Sequence, residues 1–171
     1  MKKIEEENMQ ALFQDVETPL CEGLASMEKA GFLIDKQSLN EFGEYLHGEI
    51  EKVSQEIYEM AGETFNINST VELGEILFEK LELPRGKKSK SGRASTGVEV
   101  LEKLEPFHPI IGKILLYRKC NKLYSTYVKG MIKLVQEDGR IHSVFQQTET
   151  RTGRISSKEP NVQNIPVRTE L

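Results

Sequence analysis

Residues 35–62 read DKQSLNEFGEYLHGEIEKVSQEIYEMAG. Asp35 stands where a helix N-cap belongs, because a short carboxylate there can accept from the open N–H groups of the first turn. Behind it Leu39, Phe42, Leu46, Ile50, Val53, Ile57 and Met60 step by three or four residues, the spacing of a single helical face. The seam is narrow, and Glu41, Glu44, Glu51, Glu56 and Glu59 fill the other faces. Such a helix wants one apolar partner, as in an antiparallel coiled-coil pair. Gly62 is its stop.

A partner lies downstream. Residues 106–129 read as a second long helix, ended by Gly130, with Ile110, Ile114, Tyr117, Leu123, Tyr124 and Val128 as its buried side. Between the two, Ser69 caps a shorter helix carrying Leu73, Ile76 and Leu77, Pro84 closes that segment, and 96–104 form another short helix. Upstream, residues 4–17 are expected as a helix with Leu12, Phe13 and Val16 inward. Pro19 fits the first turn of a restarted helix, where its missing N–H costs nothing. Leu20, Leu24 and Met27 continue it to Gly31. After Gly130, residues 131–136 and 140–147 flank Asp138-Gly139, a hairpin turn pair. The expected fold class is mainly α with a small β portion: a long antiparallel helix pair, then a β-hairpin and an extended segment.

The chain has 171 residues and a net charge of −4, and the average hides an asymmetry. Residues 1–80 hold 6 Lys+Arg against 18 Asp+Glu, whereas residues 81–171 hold 17 against 9. A basic half beside an acidic one suits a polyanion partner; two oppositely charged solvated faces are the alternative. No apolar run reaches the roughly 18 residues a membrane span needs, so no membrane partner is expected. The opening MKKIEEENMQ lacks the apolar stretch of a signal peptide. Cys21 and Cys120 have no motif spacing, and a reducing, cytoplasmic setting is the simplest reading.

No self-sufficient active site is legible. A two-metal phosphoryl-transfer site needs converging carboxylates. The acids here stand mostly at solvent spacing on helices, while Asp35 and Asp138 have cap and turn roles. His47, His108 and His142 lack metal-ligand spacing, and no Gly-rich phosphate loop precedes a helix. No catalytic residue and no metal or cofactor ligand is therefore assigned to this chain.

Three features point to nucleic acid. Residues 85–95, RGKKSKSGRAS, form a basic loop offering Lys87, Lys88, Lys90 and Arg93. Arg118, Lys122, Ser125 and Lys129 fall at i, i+4, i+7 and i+11, one stripe on a regular helix, suited to backbone phosphates. An ordinary solvated helix face remains the alternative. Residues 148–168 offer Arg151, Arg154, Lys158 and Arg168 among Thr148, Thr152, Ser156, Ser157, Asn161, Gln163 and Asn164. Asn, Gln and Arg can read minor-groove acceptors that look alike for every base pair. A polar loop satisfying its own turns is the competing reading.

TGRISSKEPNVQNIP (152–166) resembles the signature that opens the palm of family A DNA polymerases. DVETPLCEGLASMEKAGFLID (15–35), FNINSTVELGEILFEKLELP (65–84), LLYRKCNKLYSTY (115–127) and DGRIHSVFQQT (138–148) resemble further family segments, in family order. The resemblance implies linker helices over 1–35, a thumb over 36–130 with its tip at 65–105, and the N-terminal part of a palm over 131–171. Within it, Arg154 would reach the minor groove at the primer terminus, with Asn161 and Gln163 contacting DNA nearby. Arg118 and Lys122 would contact the duplex from the thumb. Glu149, Arg151 and Lys158 depart from what many members carry and bear on how tightly the segment holds DNA.

In this family the catalytic aspartates, which hold two divalent metal ions (Mg), and the nucleotide-binding helix of the fingers come after such a segment. The expectation is a fragment or part of a longer bacterial, cytoplasmic, nucleoid-associated DNA-directed DNA polymerase, inactive alone. Its partners would be the primer-template duplex and the remaining palm and fingers. A free-standing helical module that binds nucleic acid or protein without catalysis is the competing reading.

Overall fold

The computed structural model describes residues 2–85 and 94–164. It is 64% helical with two small antiparallel sheets, which makes it mainly α. Among the described residues the chain forms two compact units: Asn40–Val128, and residues 2–39 together with 129–164.

In the 40–128 unit, α3 (Lys36–Ala61) supplies one long helix. The other is α6 (Ile110–Lys122), continued through wider i→i+5 turns over Leu123–Lys129. Their contacts run in opposite senses. Gly43 meets Val128 so closely that a Cβ on it would lie 2.9 Å from Val128 Cγ1. His47 stacks edge-on to Tyr124 with ring centroids 5.7 Å apart. Lys113 Nζ sits 2.5 Å from Glu56 Oε2, an ion pair off the hydrogen-bond direction. The pair is antiparallel, as the apolar seam requires.

The core lies where this pair meets the shorter helices. Val53, Ile57, Ile110, Ile114 and Tyr117 bury against Leu73, Ile76, Leu77 and Phe78. Those four come from α4 (Thr70–Glu75) and its wide-turned extension Ile76–Lys80. Leu101 and Leu104 of α5 (Val98–Leu104) close it. Ser69 caps α4 as expected, its Oγ accepting from Glu72 N at 3.3 Å.

Two boundaries differ from expectation. The second long helix starts at Ile110 rather than Pro106. Glu105–Phe107 make a 3₁₀ turn, and His108, preceding Pro109, is extended at φ −157°, since a residue before proline is pushed out of the helical region. Gly130 does not stop the helix. It opens a further turn, α7 (Gly130–Ile132).

The other unit holds α1 (Lys2–Glu6) and α2 (Thr18–Ala30), the latter entered through the wide turns of Leu12–Glu17. Leu12, Phe13 and Val16 are not inward: they are 49%, 41% and 51% exposed, and Leu24 is the buried residue of α2. Leu20, Glu17 and Glu28 are half-buried at helical spacing from Leu24, so the sheltered side mixes leucines with carboxylates. Gly31 ends α2 at φ 63°, and Asp35 caps α3 through Ser38 N at 3.1 Å.

The hairpin expected from 131–136 and 140–147 does not form. The first arm is spent on α7 and the turns after it, where Leu134 N bonds Met131 O at 2.9 Å. Asp138-Gly139 do make a tight turn, with Gln136 N on Arg140 O at 2.8 Å. The strand leaving that turn, β2 (Arg140–Ile141), pairs instead with β1 (Phe32–Leu33), Phe32 opposite Ile141. The longer ladder joins β3 (Val144–Gln146) antiparallel to β4 (Ser156–Lys158), Phe145 opposite Ser157.

Candidate nucleic-acid interface

The β3–β4 ladder carries the loop 147–155 and a subsequent 3₁₀ turn, Val162–Asn164. Strand alternation sends Ser157 inward while Lys158 stays exposed. Buried Ser157 accepts from Val162 N at 3.2 Å, and buried Ser143 donates to Pro160 O at 3.1 Å. Asn161 Oδ1 accepts from Gln163 N at 3.1 Å, capping the 3₁₀ turn.

Two hydrogen bonds fix the backbone at Arg154 and at the residue after it. Thr150 Oγ1 donates to the Arg154 carbonyl, and Gln163 Nε2 donates to the Ile155 carbonyl. Gly153, at φ 71°, supplies the left-handed turn just before. The Arg154 guanidinium itself is exposed and has no hydrogen-bond or ion-pair partner among the described residues. The fold thus brings Thr152, Arg154, Asn161 and Gln163 into one segment, all exposed. Both sequence readings meet here: the amides satisfy local turns, and the arginine does not. Asn164 lies in the same 3₁₀ turn.

The segment is anchored to α2 and to the wide turn that enters it by groups that sequence reading missed. Glu28 Oε1 accepts from Phe145 N at 2.6 Å. Gln147 Nε2 donates to the Glu17 carbonyl at 2.9 Å and to the Glu17 carboxylate. His142 Nδ1 meets the Glu28 carbonyl at 2.7 Å, and its Nε2 lies 3.1 Å from Asp138 Oδ2. Those two contacts, the carbonyl first, hold the His142 pKa above its ordinary value. Asp138 is held below its own, first by the Arg140 N–H and then by His142. Arg140 donates to the Ala30 carbonyl at 3.2 Å. No motif spacing in the sequence marks Glu17 or Glu28, because their partners are more than a hundred residues away.

The stripe on the second long helix is only partly assembled. Arg118 is half-buried, with its guanidinium on the Thr96 carbonyl and 3.4 Å from the Thr96 hydroxyl; burial pushes its pKa down. Lys122 is exposed. Ser125 is exposed too, but its hydroxyl donates to the Asn121 carbonyl at 2.7 Å. The i→i+5 turns from Leu123 onward rotate later residues away from a 3.6-residue stripe. Lys129 ends those turns and belongs with the other unit. Lys87, Lys88, Lys90 and Arg93 lie outside the described residues.

Among the described residues no group of three or more His, Cys, Asp or Glu converges to hold a metal ion. The residues here therefore do not fit a two-metal site. No helix among them is long and apolar enough to cross a membrane.

Residues 36–171 match the profile of DNA polymerase family A. The chain is 49% identical over 170 residues to DNA polymerase I of Lactococcus lactis subsp. lactis, covering 99% of this chain and 19% of that protein. It is 52% identical over 161 residues to DNA polymerase I of Bacillus caldotenax, covering 93% and 18%. Among solved structures it resembles the POL domain of Pol1 from M. smegmatis, in complex with DNA primer-template and dNTP. There the TM-score is 0.91 at 36% identity, covering 99% of this chain and 30% of that one. The chain thus spans about a fifth of the length of the curated relatives it matches.

Proposed function

The chain belongs to DNA polymerase family A, and from that premise we propose that it is the duplex-holding part of a template-directed DNA polymerase. In this reading residues 36–130 are the thumb and 131–171 the start of the palm. The segment 152–164 seats the primer 3′ terminus, and basic groups including Lys122 and the 87–93 loop track backbone phosphates. The observation that carries the proposal is Arg154, fixed in its backbone and free of partners at its charged end among the described residues. A guanidinium can bond a purine N3 or pyrimidine O2 in the minor groove whichever base supplies it. A polymerase must treat every correctly paired terminus alike, and this contact does so.

Phosphoryl transfer itself falls to carboxylates that hold two divalent metal ions in further polymerase segments, not to the residues here. A primed duplex tests the assignment. The chain alone should bind the duplex at low salt yet fail to extend the primer with Mg and nucleotides. Extension that tracks with the protein through purification, or no binding at low salt, contradicts it.

A further inference from the structure

Phe145 sits in the middle of β3, opposite Ser157 of β4. Its N–H does not go to β4. It donates at 2.6 Å to Oε1 of Glu28, a half-buried carboxylate projecting from α2. A carboxylate thus takes the place a neighbouring strand would hold at this sheet edge, and a charge-assisted bond is about twice as strong as a neutral one. The same residue's carbonyl takes His142 Nδ1 at 2.7 Å, so Glu28 grips the strand segment on both sides of Val144. Two residues beyond Phe145, Gln147 is tied to Glu17. From there the chain enters the loop that presents Arg154.

We propose that Glu28 is a positioning residue for nucleotide addition: by fixing β3 it fixes the ladder and, through the ladder, the place of the Arg154 guanidinium. The inference rests on the reading that Arg154 seats the primer terminus. Glu28 touches no substrate. Its effect is on where the 3′ hydroxyl is held, and a displacement of about an ångström can cost on the order of a hundredfold in rate.

Two measurements test it. In this chain, amide exchange at Phe145 should lose protection in Glu28→Ala and keep most of it in Glu28→Gln, which retains an acceptor oxygen. In the full-length polymerase carrying this segment, single-turnover addition from pre-bound DNA is compared for Glu28→Ala, Glu28→Gln, Arg154→Ala and the double variant Glu28→Ala/Arg154→Ala. Glu28→Ala should slow addition roughly tenfold or more, with duplex affinity within about twofold. Glu28→Gln should recover most of the rate. The double variant should be no slower than Arg154→Ala alone, since both act through one group. A normal rate in Glu28→Ala beside a slow Arg154→Ala overturns the inference alone, as do losses that multiply in the double variant. A normal rate in Arg154→Ala removes the seating role and the inference with it.

Discussion

The Arg118 guanidinium donates to the Thr96 carbonyl and faces the Thr96 hydroxyl, joining α6 to the turn that opens α5. Thr96 is 4% exposed, so its carbonyl has little access to water. Arg118→Ala should therefore destabilise the chain by roughly 1–3 kcal/mol, the cost of leaving a buried acceptor unpaired. Arg118→Lys should recover only part of this, because one ammonium replaces a planar fork. Denaturant midpoints measure both; an unchanged midpoint in Arg118→Ala contradicts the clamp.

Stability should respond to pH through His142 and Asp138. His142 is raised, so its contribution is complete below about pH 6.5 and is lost as pH rises through the raised value. Asp138 is lowered, so its contribution is present above about pH 3.9 and is lost as pH falls through the depressed value. Between these limits both are in force, with Arg140 opposing the charge on His142. Melting temperature against pH should lose its alkaline decline in His142→Gln and part of its acid decline in Asp138→Asn. Profiles that superimpose on the parent's contradict the pairing.

Duplex binding by the isolated chain should be weak and indifferent to sequence, in the non-specific range of about 10⁻⁴ to 10⁻⁶ M. Each phosphate neutralised should contribute about −0.9 to the slope of log affinity against log salt. Replacing Lys87, Lys88, Lys90 and Arg93 with Ala should flatten that slope. Affinity that does not change from low to moderate salt contradicts an electrostatic grip.

Core and surface should part clearly. Ile57 is fully buried, and Ile57→Ala should cost about 2–5 kcal/mol. Leu12 is 49% exposed, and Leu12→Ala should stay within about 0.5 kcal/mol in this chain. Chemical denaturation compares the two; equal losses contradict the packing described for Leu12–Glu17.

The helix pair was legible in the sequence because Leu46, Val53 and Ile57 bury at the spacing they show there. Asp35, Ser69, Gly31 and Gly62 act as written, since caps and stops are local chemistry. The strands were only partly legible: β2 and β3 fall within 140–147, read as a hairpin arm, but their partners were not read as strands. Phe32–Leu33 is two residues long and depends on a partner far along the chain, while Ser156–Lys158 has the composition of a turn and is a strand only through its pairing with β3. At the candidate site, the charges and amides of 152–164 could be named from type alone. That Gln163 fastens to Ile155, and Arg118 to Thr96, depends on tertiary placement, which spacing does not encode.

The seating role of Arg154 is tested most directly in the full-length polymerase, by single-turnover addition from pre-bound primer-template beside equilibrium duplex binding. Arg154→Ala should lower the addition rate by about a hundredfold, the cost of misplacing the 3′ hydroxyl by about an ångström, with only a small change in affinity. Loss of affinity with an unchanged addition rate would contradict the account and leave Arg154 as one more phosphate contact.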